Sequence, residues 1–351
     1  MDQRALFYFL KMIDQKVLIF GGSGSLGKSL IKRLHSNNHL LIYSRDEAKH
    51  WTIKNEFQSS NISFKVGDIR DIDRIKQVIT QFDPHTILMA AALKHVDTCE
   101  LSPHESIQTN LLGIHNILAA VEQTAARLKS LQAVLMVSTD KACAPANVYG
   151  MCKALSERTV ASFSRYKNLN HIKFVTTRYG NVLDSRGSII PLFRNQIKNE
   201  DHLTVTHPDM TRFMMTLDDS VDLILTALKE GSTGETWVPK IKAMKIMDLA
   251  NIYAKFYHKQ VVVSGIRPGE KMHEALVSAS ESIRTHDIGS HYIIKPSYTS
   301  DVQHKVFEYT SSQDILTEEA LEKFLQDLNL LHQNIEDFVG KTIKEHIRPF
   351  K

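Results

Sequence analysis

The chain has 351 residues and only three cysteines, Cys99, Cys143 and Cys152, with no Cys-x-x-Cys pair. So odd and sparse a set builds no disulfide framework and points to a reducing compartment. Prolines number nine and glycines 15, too few for a collagen-like or low-complexity protein. With 42% apolar and 23% charged residues, the composition is that of a soluble globular protein. Neither sign of charge dominates. Lys and Arg total 43 against 39 Asp and Glu, a net +4, too slight and too evenly spread for a nucleic-acid or anionic-membrane binder. Long hydrophobic runs are missing too. The N-terminal run Ala5–Leu10 is about a third of a bilayer span and lacks the pattern of a signal peptide, so it is expected as a short docking helix of a cytoplasmic protein. Metal-binding patterns are also lacking, despite 17 histidines. His104-Glu105 and His273-Glu274 begin like a zincin motif, but Gln108 and Val277 stand where the second histidine belongs. No metal site is predicted.

At roughly 100–200 residues per domain, the length accommodates one large domain or two closely packed ones. Val17-Leu18-Ile19-Phe20 is an apolar run without polar alternation, as expected of a parallel strand buried on both faces. Further strands are predicted over 39–43, 62–66, 86–89, 132–137 and 172–177, with helices over 29–34, 72–81, 107–124 and 148–164. Such alternation predicts an α/β fold, a Rossmann-type doubly wound parallel sheet. After Asn181 the rhythm changes. The segment 201–212, rich in Pro, Asp and His, reads as irregular, and short helices are predicted over 217–229 and 246–256, with a closing helix over 318–331. This second part is expected to be a smaller cap over the carboxyl ends of the sheet.

Gly21, Gly24 and Gly27 follow the first strand with the spacing G-x-x-G-x-x-G. Glycines here let the turn close and backbone amides approach a pyrophosphate, and the following helix N-terminus adds partial positive charge. The loop residues Gly21, Ser23, Gly24, Ser25, Leu26 and Gly27 are therefore candidate dinucleotide contacts. At the end of the second strand stand Tyr43-Ser44-Arg45, with Lys49 one helical turn on. A hydroxyl and two cations suit the 2′-phosphate of NADP. Asp46 and Glu47 keep NAD open, and a solvated basic loop is the bland alternative. Asp68-Ile69 fits an adenine-edge contact or a helix cap. The expected organisation is an N-terminal extension (1–15), an NADP-binding domain (16–183) and a mainly substrate-binding cap with some returning elements (184–351).

Tyr149 and Lys153 are four apart, on one face of a helix. They follow the fifth strand, whose end carries Ser138-Thr139-Asp140-Lys141 and borders the expected nicotinamide crevice. A nearby ammonium lowers the pKa of a phenol, and Lys153 is the expected cation. The histidine and cysteines near these residues are not expected to be catalytic, and Met210, Met214 and Met215 read as core filling.

Several motifs accompany this constellation: Ala90-Ala91-Ala92-Leu93-Lys94-His95-Val96, Ser138-Thr139-Asp140-Lys141-Ala142, Arg178-Tyr179-Gly180-Asn181-Val182, Ser185-Arg186-Gly187-Ser188, Met210-Thr211-Arg212-Phe213 and Arg267-Pro268-Gly269-Glu270-Lys271. With them the chain, from about Lys16 to Phe324, resembles the inverting UDP-N-acetylglucosamine 4,6-dehydratases, a polysaccharide-biosynthesis family of the extended short-chain dehydrogenases/reductases. Members that retain configuration carry Thr-Asp-Glu at this strand end. Here Lys141 follows Asp140, as in the inverting group. An ion pair with Asp140 is the plain alternative for Lys141. The resemblance implies that Tyr149, assisted by Lys153, takes the 4-hydroxyl proton, Lys141 the proton at sugar position 5, and that Asp140 helps the 6-hydroxyl leave. Thr139 would bond the 4-oxygen, and Ala90 would join the cofactor contacts. Lys94, Asn181, Arg186, Arg212, Arg267 and Glu270 would hold the UDP-sugar. A homo-oligomer is expected from the helices that flank such sheets. A dehydratase of UDP-glucose, a configuration-retaining one and a non-catalytic NADP-binding regulator are the alternatives.

Overall fold

The computed structural model describes residues 13–331. The run Ala5–Leu10 lies outside them. The described residues form two compact units: one up to Tyr179 with Leu217–Lys240 and Leu276–Glu308, the other comprising Gly180–Thr216, Ile241–Ala275 and the described chain from Tyr309.

The first unit is built on a sheet of nine strands. Strands β1 (Gln15–Phe20), β2 (Asn38–Ser44), β3 (Ile62–Val66), β4 (Thr86–Met89), β5 (Ala133–Val137) and β6 (Lys173–Thr177) run parallel in the order β3-β2-β1-β4-β5-β6. Val17 pairs with Leu40 on one side and Thr86 on the other. Helices cover both faces, and Val17, Leu18, Ile19 and Phe20 are fully buried, which is why this strand is apolar throughout. Thr236–Pro239 extends the sheet in parallel, whereas His291–Ile294 and Thr285–Asp287 close it antiparallel. The sheet is thus mostly, not wholly, parallel. The core is filled by Ile75, Val78 and Ile79 of helix Ile72–Phe82, Ile114, Ile117 and Val121 of Gly113–Thr124, and Val160 and Phe163 of Val148–Phe163. Asp46, Asp71 and Asn147 cap helices Glu47–Phe57, Ile72–Phe82 and Val148–Phe163, each satisfying a free amide of the first turn.

The helix expected over 107–124 opens instead with a π-helical turn, Ile107–Leu112. The wider turn carries Asn110 inward, where Oδ1 accepts from the Leu93 amide at 2.8 Å and Nδ2 donates to the Leu93 carbonyl at 2.9 Å.

In the second unit, Asn181–Val182, Thr211–Met215 and Ala243–Lys245 form one small sheet, and His202–Val205 pairs with Gln260–Val263. The segment 201–212, expected to be irregular, therefore contributes to two strands, Leu203 and Val205 alternating inward. Helices Ile189–Asn199, Ile246–Tyr257 and Glu318–Asp327 enclose Phe193, Met214, Leu249, Tyr253, Leu321 and Leu325. The last helix stops short of 331, where Asn329 turns left-handed at φ 54°.

A buried ion network ties the first unit together. Arg178, 2% exposed, follows β6. Its Nε donates to Glu157 Oε1 at 3.0 Å, and Nη1 and Nη2 donate to the two oxygens of Glu281, both at 2.8 Å. Burial alone would raise the Glu281 carboxyl, but the Arg178 guanidinium holds it down at about 2. Because its folded value lies below the unfolded one of about 4.3, the pair's contribution is full above that pH and lost as pH falls toward 2. Urea titrations should show stability decreasing by about 3 kcal/mol from this group between roughly pH 5 and 2. Arg178→Met, which strands two buried carboxylates, should cost about 3–5 kcal/mol at pH 7.

Candidate active site

The three glycines of the loop have different duties. Gly21, at φ +81°, has no space for a side chain: a Cβ would lie 2.6 Å from the Ala91 backbone. A Cβ on Gly27 would meet the Gly22 carbonyl oxygen at 2.2 Å, so this glycine sets the packing of helix Ser25–Leu34 on the turn. Gly24 is different, since its Cβ would meet only the Gly21 oxygen, at 3.5 Å. The N-cap of that helix, Gly24, makes no side-chain cap. Room at Gly24 and a helix N-terminus suit a pyrophosphate. The amide of Ala90 donates to the Phe20 carbonyl at 2.9 Å, placing the ends of β1 and β4 side by side where the strand order reverses, the usual ligand crevice of such sheets.

At the end of β2, Ser44 Oγ accepts from Ser23 Oγ at 2.9 Å and lies 2.7 Å from His50 Nε2. The sequence reading passed over His50. Arg45 sits 3.5 Å from Asp68, and Lys49 pairs with Asp46, so a 2′-phosphate would compete with two carboxylates for these cations. Asp68 accepts the Arg70 amide at 3.0 Å, while the helix cap is Asp71. Ile69 is buried against Gly113. Leu26 and Ser25 open the helix after the glycine loop.

Beyond β5 the chain makes a short turn, Asp140–Ala142. Because this is a turn and not strand, Asp140 and Lys141 do not point to opposite faces. Lys141 Nζ donates to Asp140 Oδ1 at 3.1 Å, and Thr139 Oγ1 donates to the same oxygen at 2.9 Å. The ion pair weighed as the plain alternative is thus present. Asp140 Oδ2 is buried and has no hydrogen-bond partner, so a substrate hydroxyl arriving there would satisfy it.

Helix Val148–Phe163 presses directly on this turn. A Cβ on Gly150 would lie 2.2 Å from the Lys141 carbonyl oxygen. That closeness brings Tyr149, one residue earlier, into a hydrogen bond with Thr139 and into the field of Lys141 and Asp140. Burial pushes the Tyr149 phenol up to about 12, with the Lys141 charge pulling it back. The cation acting on the phenol is therefore Lys141, whereas the sequence pointed to Lys153. Lys153 instead donates to the Val137 carbonyl at 2.5 Å. Burial lowers its ammonium to about 8 against the opposing charge of Glu157.

The remaining residues are dispersed. Lys94 is exposed, next to the Leu93 peptide that Asn110 clamps. In the second unit, Asn181 Oδ1 is buried with no hydrogen-bond partner, and Arg186 precedes helix Ile189–Asn199. Arg212 Nη1 donates to the carbonyls of Thr211 and Met272 at 2.7 and 3.3 Å. Arg267 and Glu270 pair with each other at 2.6 Å. Cys143 is buried, its thiol pushed up to about 12, and His95 merely precedes helix Val96–Leu101. Among the described residues no cluster of His, Cys, Asp and Glu could hold a metal, and no helix is long and apolar enough to cross a membrane.

The chain is similar to known proteins. Residues 17–296 match the family described as polysaccharide biosynthesis protein. A UDP-glucose 4-epimerase of Rickettsia bellii is 40% identical over 290 residues, covering 80% of this chain and 83% of the relative. An inverting UDP-N-acetylglucosamine 4,6-dehydratase of Campylobacter jejuni is 36% identical over 287 residues, 81% of this chain and 83% of the relative. Among solved structures, Pen from Bacillus thuringiensis is 32% identical with a TM-score of 0.84, over 91% of this chain and 99% of that one. A dTDP-glucose 4,6-dehydratase from Streptomyces venezuelae solved with NAD bound shares the fold alone, with 19% identity and a TM-score of 0.65 over 73% and 86% of the two chains. The chain belongs to the polysaccharide biosynthesis protein family.

Proposed function

We propose that this protein is an NADP-dependent, configuration-inverting UDP-N-acetylglucosamine 4,6-dehydratase that forms UDP-2-acetamido-2,6-dideoxy-β-L-arabino-hexos-4-ulose. The observation that carries this reading is the Asp140–Lys141 pair, 3.1 Å apart, beside Thr139 and Tyr149 at the end of β5. The Campylobacter relative, at 36% identity, supports it. Bound at the glycine loop, a nicotinamide dinucleotide supplies a hydride acceptor that is regenerated in each turnover. The glycine loop and the catalytic residues all lie in the first unit. Asn181, Arg186, Arg212, Arg267 and Glu270 are the candidate contacts of the UDP moiety, and Lys94 of the sugar.

The proton chemistry follows from the side chains. Tyr149 exchanges the proton of the 4-hydroxyl, with Thr139 bonded to the same oxygen. Lys153, brought by burial to about 8, is the amine one turn away able to receive that proton near neutral pH. Oxidation at position 4 acidifies position 5. Lys141 as free amine removes that proton while Asp140 as neutral acid protonates the departing 6-hydroxyl. The two together end as the ion pair seen here. Asp140 is 0% exposed and the Lys141 side chain 20%, so a bound sugar would complete the exclusion of water. Lys141, now an ammonium, then returns a proton to position 5 from the opposite face, and the proton first taken from the 4-hydroxyl, passed on through solvent, restores Asp140 to the neutral acid.

The Rickettsia relative favours a second reading, a UDP-glucose 4-epimerase. Epimerisation at position 4 needs Tyr149 but leaves the acid–base pair of Asp140 and Lys141 without work. A non-catalytic regulator would need neither. Self-association belongs to the same proposal, since Leu101, Ile107, Met151 and Leu155 leave exposed apolar side chains on the helices.

Three experiments test this reading. UDP-N-acetylglucosamine incubated with the enzyme in deuterated water should give a 4-keto-6-deoxy product with deuterium at position 5 and L-configured couplings by NMR. An unaltered CH₂OH arm would point to the epimerase, and a D-configured product to a retaining enzyme. Lys141→Ala should lower turnover by about 10²–10⁴-fold with NADP still bound. For the cofactor, calorimetry should find NADP bound more tightly than NAD, and Arg45→Ala should weaken NADP by roughly 10–100-fold while changing NAD little. Equal losses for both would argue against a 2′-phosphate contact.

A further inference from the structure

The helix Val148–Phe163 carries a third polar group on the face that bears Tyr149 and Lys153. Glu157 is one turn beyond Lys153 and buried. The three side chains engage successive points at the end of β5. Tyr149 bonds Thr139, Lys153 donates to the Val137 carbonyl, and Glu157 Oε1 accepts from Ser138 Oγ at 2.5 Å. Glu157 also accepts from Arg178 through Nε and Nη2, at 3.0 and 2.5 Å, and Arg178 reaches on to Glu281. Tyr179, the residue after Arg178, accepts the Asp140 amide at 2.9 Å. The carboxylate thus joins the catalytic helix, the strand end that precedes Asp140 and Lys141, and the residue that orients the Asp140 backbone.

We infer that Glu157 is a positioning residue of the active site: it fixes the end of β5 against the catalytic helix and stands as the counter-charge one turn from Lys153. This rests on the catalytic roles proposed for Tyr149 and Lys153. The charge balance is consistent with it. Glu157 and Glu281 face Arg178, and Glu157 alone among these anions acts on Lys153. Cys152 is the other ionisable neighbour acting on Lys153, also from its own helix. Tyr149, with Asp140 and Lys141 around it, occupies the preceding turn. Replacing Glu157 by glutamine preserves shape and leaves Arg178 paired one-to-one with Glu281, but it removes the counter-charge of a buried ammonium. Lys153 then loses its proton at lower pH, because an opposite charge nearby favours the charged form.

The test follows the protonation of Lys153 directly, by NMR of ¹⁵Nζ-labelled lysine in the full chain with NADP present, assigned with Lys153→Met. In Glu157→Gln the midpoint should fall by about one pH unit or more relative to wild type, and Glu157→Asp, which keeps the charge, should restore most of it. The acidic limb of the kcat profile on UDP-N-acetylglucosamine, set by Lys153 as the proton-accepting amine, should move to lower pH by the same amount, with KM changed less than kcat. Should Glu157→Gln not fold, Glu157→Asp alone decides, since a shortened carboxylate should still shift the midpoint downward by a smaller amount. An unmoved midpoint in the folded variants would overturn the inference and leave Glu157 a purely structural residue. Wild-type protein that fails to turn over the sugar while the midpoint still moves would instead refute the proposed reaction.

Discussion

The contact on which the site depends is the approach of Gly150 to the Lys141 carbonyl, where a side-chain carbon would stand 2.2 Å from the oxygen. A helix cannot come this near a turn with any larger residue there. Because it does, Tyr149 meets Thr139, and the phenol lies in the field of both Asp140 and Lys141. The Asn147 cap, accepting the Gly150 amide at 2.8 Å, fixes where the helix begins. The order of events is therefore steric first and electrostatic second: backbone proximity is secured, and charged side chains are then held within bonding range.

The parallel strands were legible because burial on both faces leaves a plain signature. Val17–Phe20 and Ile87–Met89 are apolar throughout and sit centrally in the sheet. The strands Thr236–Pro239, Thr285–Asp287 and His291–Ile294 went unread because they are short, and the last two carry polar residues at an antiparallel edge. Their neighbours come from distant parts of the chain, and no local pattern announces such pairing. The segment 201–212 was misjudged for a related reason. Its strands are only a few residues long, and the alternation of Leu203 and Val205 is drowned by flanking Pro, Asp and His.

Within the site, residue types were easier to read than their partners. The glycine triplet and the Thr-Asp-Lys sequence stand out as motifs, and the structure assigns each glycine of the triplet its own steric duty. Which cation faces Tyr149 was misread, since i,i+4 spacing favoured Lys153, whereas the turn after β5 folds Lys141 back toward the phenol. Gly150 and Glu157 were missed. A glycine in a helix costs about 1 kcal/mol, so Gly150 offered a clue to close packing. The i, i+4, i+8 spacing of Tyr149, Lys153 and Glu157 was a second clue. Ion pairs such as Arg267–Glu270 and Lys49–Asp46, which tie up expected ligand contacts, depend on conformation and leave little trace in sequence.

The proposed reaction is an internal redox cycle around a pair of proton-transfer groups, and the path of one hydrogen tests it most directly. Substrate carrying deuterium at position 4 should yield product whose deuterium resides in the new 6-methyl group, with no net change in coenzyme absorbance. Deuterium found again at position 4 of an unaltered hexose skeleton, or lost into accumulating reduced coenzyme, would contradict the account.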